Sequence, residues 1–306
     1  MAAEPHLPVL YQDIIHALQP RNGCSYVDCT LGAGGHSQGI LEASQPDGKL
    51  LGLDLDPQAV GIAKRRLASF GERVRIEQAS YVELTGMLEQ IGWDGVDGIV
   101  FDLGVSSMQF DTPDRGFSFQ HDAPLDMRFS PDSLVSAEEL VNQMSEAELA
   151  EIIFNYGEDR NARRIARAIV RARPLHTTKQ LAAVVAGAGG GRSHLHPATR
   201  TFQALRIAVN EELKSIEAAL PQAVKALRPG GRLAIISFHS LEDRIVKDYF
   251  NLESSDCVCP PRQPICTCDH KAIIKKITSK PVVPTEAEIE ENSRARSAKL
   301  RIAEKI

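Results

Sequence analysis

Tyr26-Val27-Asp28-Cys29-Thr30-Leu31-Gly32-Ala33-Gly34-Gly35-His36-Ser37 reads as a short buried strand that runs through a glycine turn into the start of a helix. Glycine at 32, 34 and 35 permits left-handed backbone in the turn and removes the Cβ atoms that would hold a ligand off the chain. The helix that follows points free N–H groups at whatever fills the gap. The spacing is Gly-x-Gly-Gly rather than the Gly-x-Gly-x-x-Gly of dinucleotide folds, so a pyrophosphate is not the expected occupant.

Downstream, strand and helix signals alternate as in a doubly wound parallel sheet. Lys49 to Asp54 is a buried strand ending in an acid, and Pro57 then opens a helix through Leu67. Val74 to Glu77 is a third strand; Val96 to Asp102 is a fourth, again ending in a carboxylate. Ligands of open α/β sheets collect at the carboxyl ends of the strands, so Asp28, Asp54 and Asp102 are expected to converge on the glycine turn.

The alternation then stops. Ser136 with Glu139, and Ser145 with Glu148, have the spacing of capping boxes, and the chain to about Leu227 is helical in pattern, with breaks at Gly157, Pro174, Gly187 to Gly191 and Pro197. An inserted helical domain over 135–216, within a sheet domain of 1–134 and 217–306, is the expected organisation. A Pro229-Gly230-Gly231 turn feeds a fifth strand to Phe238, and Ala272 to Thr278 with Ser297 to Ala303 suit a closing antiparallel hairpin.

Composition narrows the function classes. With 43% hydrophobic and 25% charged residues, the chain has the balance of a water-soluble globular protein. It has neither a run of about 20 apolar residues nor a basic leader followed by an apolar segment, so a cytoplasmic protein with no membrane partner is expected. Six cysteines fit reduced thiols or a metal better than a disulfide framework. The net charge of −5 hides an asymmetry, because Asn155 to Lys214 carries eleven Lys/Arg against four Asp/Glu.

Several residue sets have specific chemical uses. A carboxylate at the end of the second strand, Asp54, can accept from both ribose hydroxyls of an adenosine cofactor, whereas Asp56 before Pro57 reads as helix entry. Asp102 lies where an adenine amino group or the reacting centre would sit. Arg160, Arg163, Arg164, Arg167 and Arg171 fall on one stripe of a helix from Arg160 to Arg173, opposite Ala162, Ile165, Ile169 and Ala172. An all-arginine stripe suits a polyanion, and Arg200, in the His196 to Thr201 helix entry, adds a donor. Phe117 and Phe119 suit either base stacking or the core. Cys257, Cys259, Cys266 and Cys268, followed by His270, form two Cys-x-Cys pairs that suit one zinc or a loop of free thiols; zinc sites more often use wider spacing.

Together these residues resemble the RsmH (MraW) family of bacterial 16S ribosomal RNA cytosine-N4 methyltransferases. The likeness runs from His6-x-Pro8-Val9-Leu10 through the glycine turn and Asp102-Leu103-Gly104-Val105-Ser106-Ser107-x-Gln109 to Arg115-Gly116-Phe117-Ser118-Phe119 and Pro124 to Arg128. It continues over His196 to Ala204, Ser237 to Arg244 and Arg294 to Ser297. The resemblance implies a class I S-adenosylmethionine-dependent methyltransferase fold, S-adenosylmethionine as cofactor, and a cytidine in the decoding region of 16S rRNA, within the small ribosomal subunit, as substrate. It implies that Gly34, Gly35 and His36 hold the methionine end, that Asp54 holds the ribose, and that Tyr81, Asp102 and Gln109 complete the pocket. Tyr81 stands where a phenylalanine is familiar in the family.

Cytosine N4 is a weak nucleophile because its lone pair is delocalised, so catalysis is mostly positioning. Asp102 is the first candidate to orient the amino group, with the carbonyls and hydroxyls of Leu103 to Ser107 next. A nucleotide-dependent oxidoreductase would share the sheet and the acid of the second strand, but not the glycine spacing. A non-catalytic RNA-binding factor on the same fold would not need the full set of turn and carboxylates.

Overall fold

The computed structural model describes residues 8–188, 196–260, 263 and 265–306; His6 and the glycines at 189–191 lie outside them. The chain divides into two compact units, one formed by the segments up to Gly104 and from Leu213 onward, the other by Val105–Glu212.

The first unit is built on seven strands: β1 (Ser25–Asp28), β2 (Lys49–Asp54), β3 (Val74–Gln78), β4 (Val96–Asp102), β5 (Leu227–Ser237), β6 (Ile274–Lys276) and β7 (Lys299–Lys305). Their order is β3-β2-β1-β4-β5-β7-β6; β1 to β5 run parallel, and β7 is antiparallel to both β5 and β6. The helices are α1 (Tyr11–Leu18), α2 (Gly35–Ala43), α3 (Pro57–Arg66) and α4 (Leu84–Gln90) before the second unit. That unit contains α5 (Ser107–Asp111), α6 (Ala137–Gln143), α7 (Glu146–Gly157), α8 (Ala162–Ala172), α9 (Thr178–Ala188) and α10 (Ala198–Asn210). The sheet unit resumes along α11 (Glu212–Ala226), then α12 (Ser240–Glu253) and α13 (Glu286–Glu291).

Strand side chains alternate between faces, and both faces are covered. Val27, Leu51, Leu53, Ile99 and Ile235 pack with Ile216, Leu220 and Val224 of α11 and Phe250 of α12. Tyr26, Leu50, Val100, Ala234 and Ile236 pack on the other side with Ile14, Ile40, Leu41 and Ala63 of α1 to α3. No helix among the described residues is long and apolar enough to cross a membrane.

The expected turn at Pro229-Gly230-Gly231 is instead part of β5. Leu227 already pairs with Val96, and an irregularity between Val96 and Gly98 absorbs the extra residues, with Gly230 at φ 78°. The closing β6–β7 pair is antiparallel as expected, but α13 lies in the connection rather than a tight hairpin turn. Asp243 of α12 ties this edge down by accepting from Arg301 Nε at 2.7 Å and Nη2 at 3.1 Å.

In the second unit both capping boxes form, at Ser136/Glu139 and Ser145/Glu148. Its core joins Phe117, Leu125 and Met127 to Leu149, Ile153, Ile165, Ile169, Leu181 and Phe202 of the helices. The unit therefore starts well before residue 135, because the turn-rich stretch after β4 supplies apolar side chains to the helical core. Phe117 is 7% exposed and stacks on Phe129, while Phe119 packs edge-on against Phe202, so both serve the core here.

Candidate active site

The glycine turn joins β1 to α2. Gly32 and Gly34 have φ of 51° and 80°, a region costly for residues with a Cβ. Added Cβ atoms would differ in what they meet. At Gly32 the nearest atom would be 3.9 Å away, whereas at Gly35 the Cβ would come within 2.4 Å of Pro8 Cγ. Glycine at 35 is thus required by packing, and only Gly32 faces open space. No side chain caps α2, which leaves the N–H groups of its first turn for a ligand.

The three strand-end acids have separate tasks. Asp28 is 1% exposed and faces inward, accepting from Ser37 Oγ at 2.7 Å and from the Thr30 N–H at 3.2 Å. Burial raises its carboxyl above the ordinary range, opposed by the Ser37 hydroxyl and the charge of His36. The expectation that it opens onto the same crevice as the other two is corrected: it holds the turn to α2. Asp56, buried at the head of α3, accepts from the Gln58 N–H and is the helix cap its sequence position suggests.

Asp54 bridges the turn and the end of β2. Its Oδ2 accepts from the Gly32 N–H at 2.7 Å and its Oδ1 from the Asp56 N–H at 2.8 Å. Burial pushes its carboxyl up to about 6 against the pull of these two donors. Asp28 adds to the rise, and Asp28 in turn feels Asp102, so the three carboxyls do share one field.

Asp102 ends β4, where its N–H donates to Thr30 Oγ1 at 2.6 Å. Its Oδ1 is buried with no hydrogen-bond partner, and so are both ring nitrogens of His36. His36 is 5% exposed, stacks on Tyr11 at 6.3 Å, and brings Nε2 to 3.6 Å from Asp102 Oδ2. Buried polar atoms without partners are costly, and here they cluster beside the open end of α2. Thr30, Ser37 and Tyr11 were not singled out in the sequence; the Thr30 and Ser37 hydroxyls within the turn were the available signal. Tyr81 begins a short turn after β3 and sets its ring edge-on to Phe101, 5.5 Å between centroids.

Gln109 belongs to the other compact unit. It is 6% exposed and closes a capping box on α5, its Oε1 accepting from the Ser106 N–H at 3.0 Å. In that unit Arg163, Arg164, Arg167 and Arg171 stand exposed on α8, with Ala162, Ile165 and Ile169 buried behind them. Two parts of the expected stripe change. Arg160 lies in the turn before α8, because Asp159 accepts from the Asn161 N–H and delays the helix, and Ala172 at its end is exposed. Arg167 pairs with Glu146 at 3.2 Å, and Arg200 donates to the Glu158 carbonyl at 3.1 Å. His196 Nδ1 accepts from the Ala198 N–H, a capping contact.

The four clustered cysteines lie in the sheet unit between α12 and β6. Their Sγ atoms all fall within 4.8 Å of one another. His270 is turned away, its Nε2 3.0 Å from the Leu252 carbonyl oxygen.

A parallel sheet closed by an antiparallel β7 beside β5, with a glycine turn after β1 and an acid ending β2, is the frame of the S-adenosylmethionine-dependent methyltransferases. The buried, unpartnered polar atoms of His36 and Asp102, and the uncapped start of α2, fit a polar, zwitterionic ligand of that kind. A model of the MraW methylase family matches residues 3–306, and the chain belongs to that family. It is an enzyme that transfers methyl groups from S-adenosylmethionine.

Among relatives, a ribosomal RNA small subunit methyltransferase H from Geotalea uraniireducens is 54% identical over 98% of this chain and 98% of its own. One of the same name from Dehalococcoides mccartyi is 51% identical over 100% of this chain and 88% of its own. A solved rRNA methylase from Streptococcus thermophilus overlaps more loosely, with TM-score 0.44 and 12% identity over 97% of this chain and 93% of its own.

Proposed function

We propose that this enzyme methylates 16S rRNA of the small ribosomal subunit in the bacterial cytoplasm, at N4 of a cytidine in the decoding region. Two relatives above 50% identity carry the name of a small-subunit rRNA methyltransferase, which supports the RNA class. The base and its amino group rest on the family resemblance of the segments named in the sequence and on one observation: the unpartnered, buried Asp102 Oδ1 at the end of β4. An amino group donating to that oxygen would relieve the cost of burying it.

In this reading Gly35 and His36 at the start of α2 hold the methionine end of the cofactor through their N–H groups and the imidazole, with Gly34, whose own N–H donates to the Leu31 carbonyl, shaping the turn beside it. Asp54 accepts from the ribose hydroxyls, and Tyr81 and Asp102 complete this unit's part of the pocket. S-adenosylmethionine supplies a methyl group already activated by its sulfonium. With the cofactor bound, Asp102 would accept from the N4 amino group and fix its orientation, a positioning role that raises the rate without strong base chemistry. The departing proton passes to Asp102 or to water. The target base is drawn out of its stack into the pocket.

The helical unit takes the role of RNA holder. Arg163, Arg164 and Arg171 of α8, with Arg160 just before it and Arg167 and Arg200 partly engaged elsewhere, supply phosphate contacts. Incubating the enzyme with methyl-tritiated S-adenosylmethionine and purified small subunits tests the reading. Label in 16S rRNA that is lost with Asp102→Ala supports it; label absent with every small-subunit substrate, free RNA included, overturns it.

A further inference from the structure

We propose that Cys257, Cys259, Cys266 and Cys268 form a structural zinc site that holds the segment between α12 and β6. The sulfur spacing suits a tetrahedral ion: all four Sγ atoms lie within 4.8 Å of one another, Cys257 to Cys266 and Cys266 to Cys268 are 3.5 Å apart, and Cys257 to Cys268 is 3.8 Å. Zinc–sulfur bonds of about 2.3 Å put the corners of a tetrahedron about 3.8 Å apart. A disulfide would need sulfurs at about 2.05 Å, and all four thiols are free.

The second argument is the backbone. The N–H of Val258 donates to Cys268 Sγ at 3.4 Å, and the N–H of Thr267 donates to Cys259 Sγ at 3.5 Å. Each donor sits inside one Cys-x-Cys pair and reaches a sulfur of the other, so the two pairs clasp each other. N–H groups aimed at sulfur stabilise thiolates, the form that binds a metal.

The third argument is what the segment lacks. Between Phe250 and Ile274 no described apolar residue is buried, and Val258 and Ile265 are 44% and 74% exposed. A stretch without a core needs another staple to keep one conformation, and a metal supplies it. Four sulfur ligands and no position left for water give a closed, non-catalytic site suited to zinc. The assignment is independent of the RNA substrate.

The full chain, purified in reducing buffer without chelator, is assayed for zinc and iron by plasma mass spectrometry. About one zinc per chain is expected, as in structural tetrathiolate sites. Titration with a mercurial should release that zinc in step with four thiols, and cobalt(II) added to the zinc-free protein should give the absorption of a tetrahedral tetrathiolate. Cys257→Ser with Cys266→Ser should remove both signals, and zinc removal should speed amide exchange across the cysteine segment while the glycine turn stays protected. Failure of the wild-type chain both to retain zinc and to give the cobalt spectrum overturns the proposal, as does stoichiometric iron in place of zinc.

Discussion

His36 Nε2 stands 3.6 Å from Asp102 Oδ2, too far for a good hydrogen bond and close enough that one polar group can engage both. The two residues come from the start of α2 and the end of β4, and Asp102 Oδ1 has no hydrogen-bond partner. Asp102→Asn keeps the shape and removes the anionic acceptor. The expected result is a fall of about 10²-fold in the single-turnover rate of methyl transfer, the scale of a lost positioning contact. A fall of less than about threefold would remove Asp102 from the chemistry.

Cofactor binding should depend on pH through Asp54. Burial raises its carboxyl to about 6, above the ~3.9 of an unfolded aspartate. Ribose hydroxyls donating to it favour the ionised form, so binding releases a proton and tightens as pH rises. Calorimetric Kd for S-adenosylmethionine should improve about tenfold from pH 5 to pH 7 and then level off. Asp54→Asn should bind weakly at every pH, without that slope. In the ligand-free protein the same shift has the opposite consequence for folding: the group's stabilising contribution is complete below about pH 3.9 and lost as pH rises through about 6.

Ser37→Ala tests the anchor of the glycine turn. It leaves the buried Asp28 carboxylate without its hydroxyl donor at 2.7 Å. Denaturant melts at pH 7 should show a loss of about 1–3 kcal/mol, the cost of an unsatisfied buried polar group. Because burial has already raised the Asp28 carboxyl, the loss should shrink in acid, where the group is protonated in both states.

The α8 stripe is tested by Arg163→Glu with Arg164→Glu. Both are exposed, with no ion pair among the described residues, unlike Arg167 with its Glu146 partner. Binding to small subunits should weaken and its salt dependence should flatten by about one unit of slope per lost phosphate contact. S-adenosylmethionine affinity should not move. Unchanged RNA binding would mark the stripe as a solvated helix face.

What was legible in the sequence follows from how local each signal was. β2 and β4 were readable because apolar runs end in Asp54 and Asp102, and the Ser136 and Ser145 caps because a capping box spans only three residues. The clasp between Thr30 and Asp102 was not, since no spacing links positions 30 and 102; only the parallel pairing of β1 with β4 brings them together. Arg160 was misplaced for a local reason of the opposite kind, an Asp159 turn that outcompetes the first turn of the helix. The start of the helical unit was hidden because Phe117, Leu125 and Met127 lie in turn-rich sequence with no period to mark their burial. Two Cys-x-Cys pairs were ambiguous as spacing and become specific only as sulfur positions.

The proposed reaction delivers a methyl group to a cytidine N4 of 16S rRNA. Nucleoside mass spectrometry of 16S rRNA, from cells with and without the protein and after re-expression of wild-type or Asp102→Asn, tests it most directly. The expected result is an N4-methylated cytidine in the decoding region that vanishes without the protein and returns only with wild type. An unchanged level of that nucleoside, or its full return with Asp102→Asn, would contradict it.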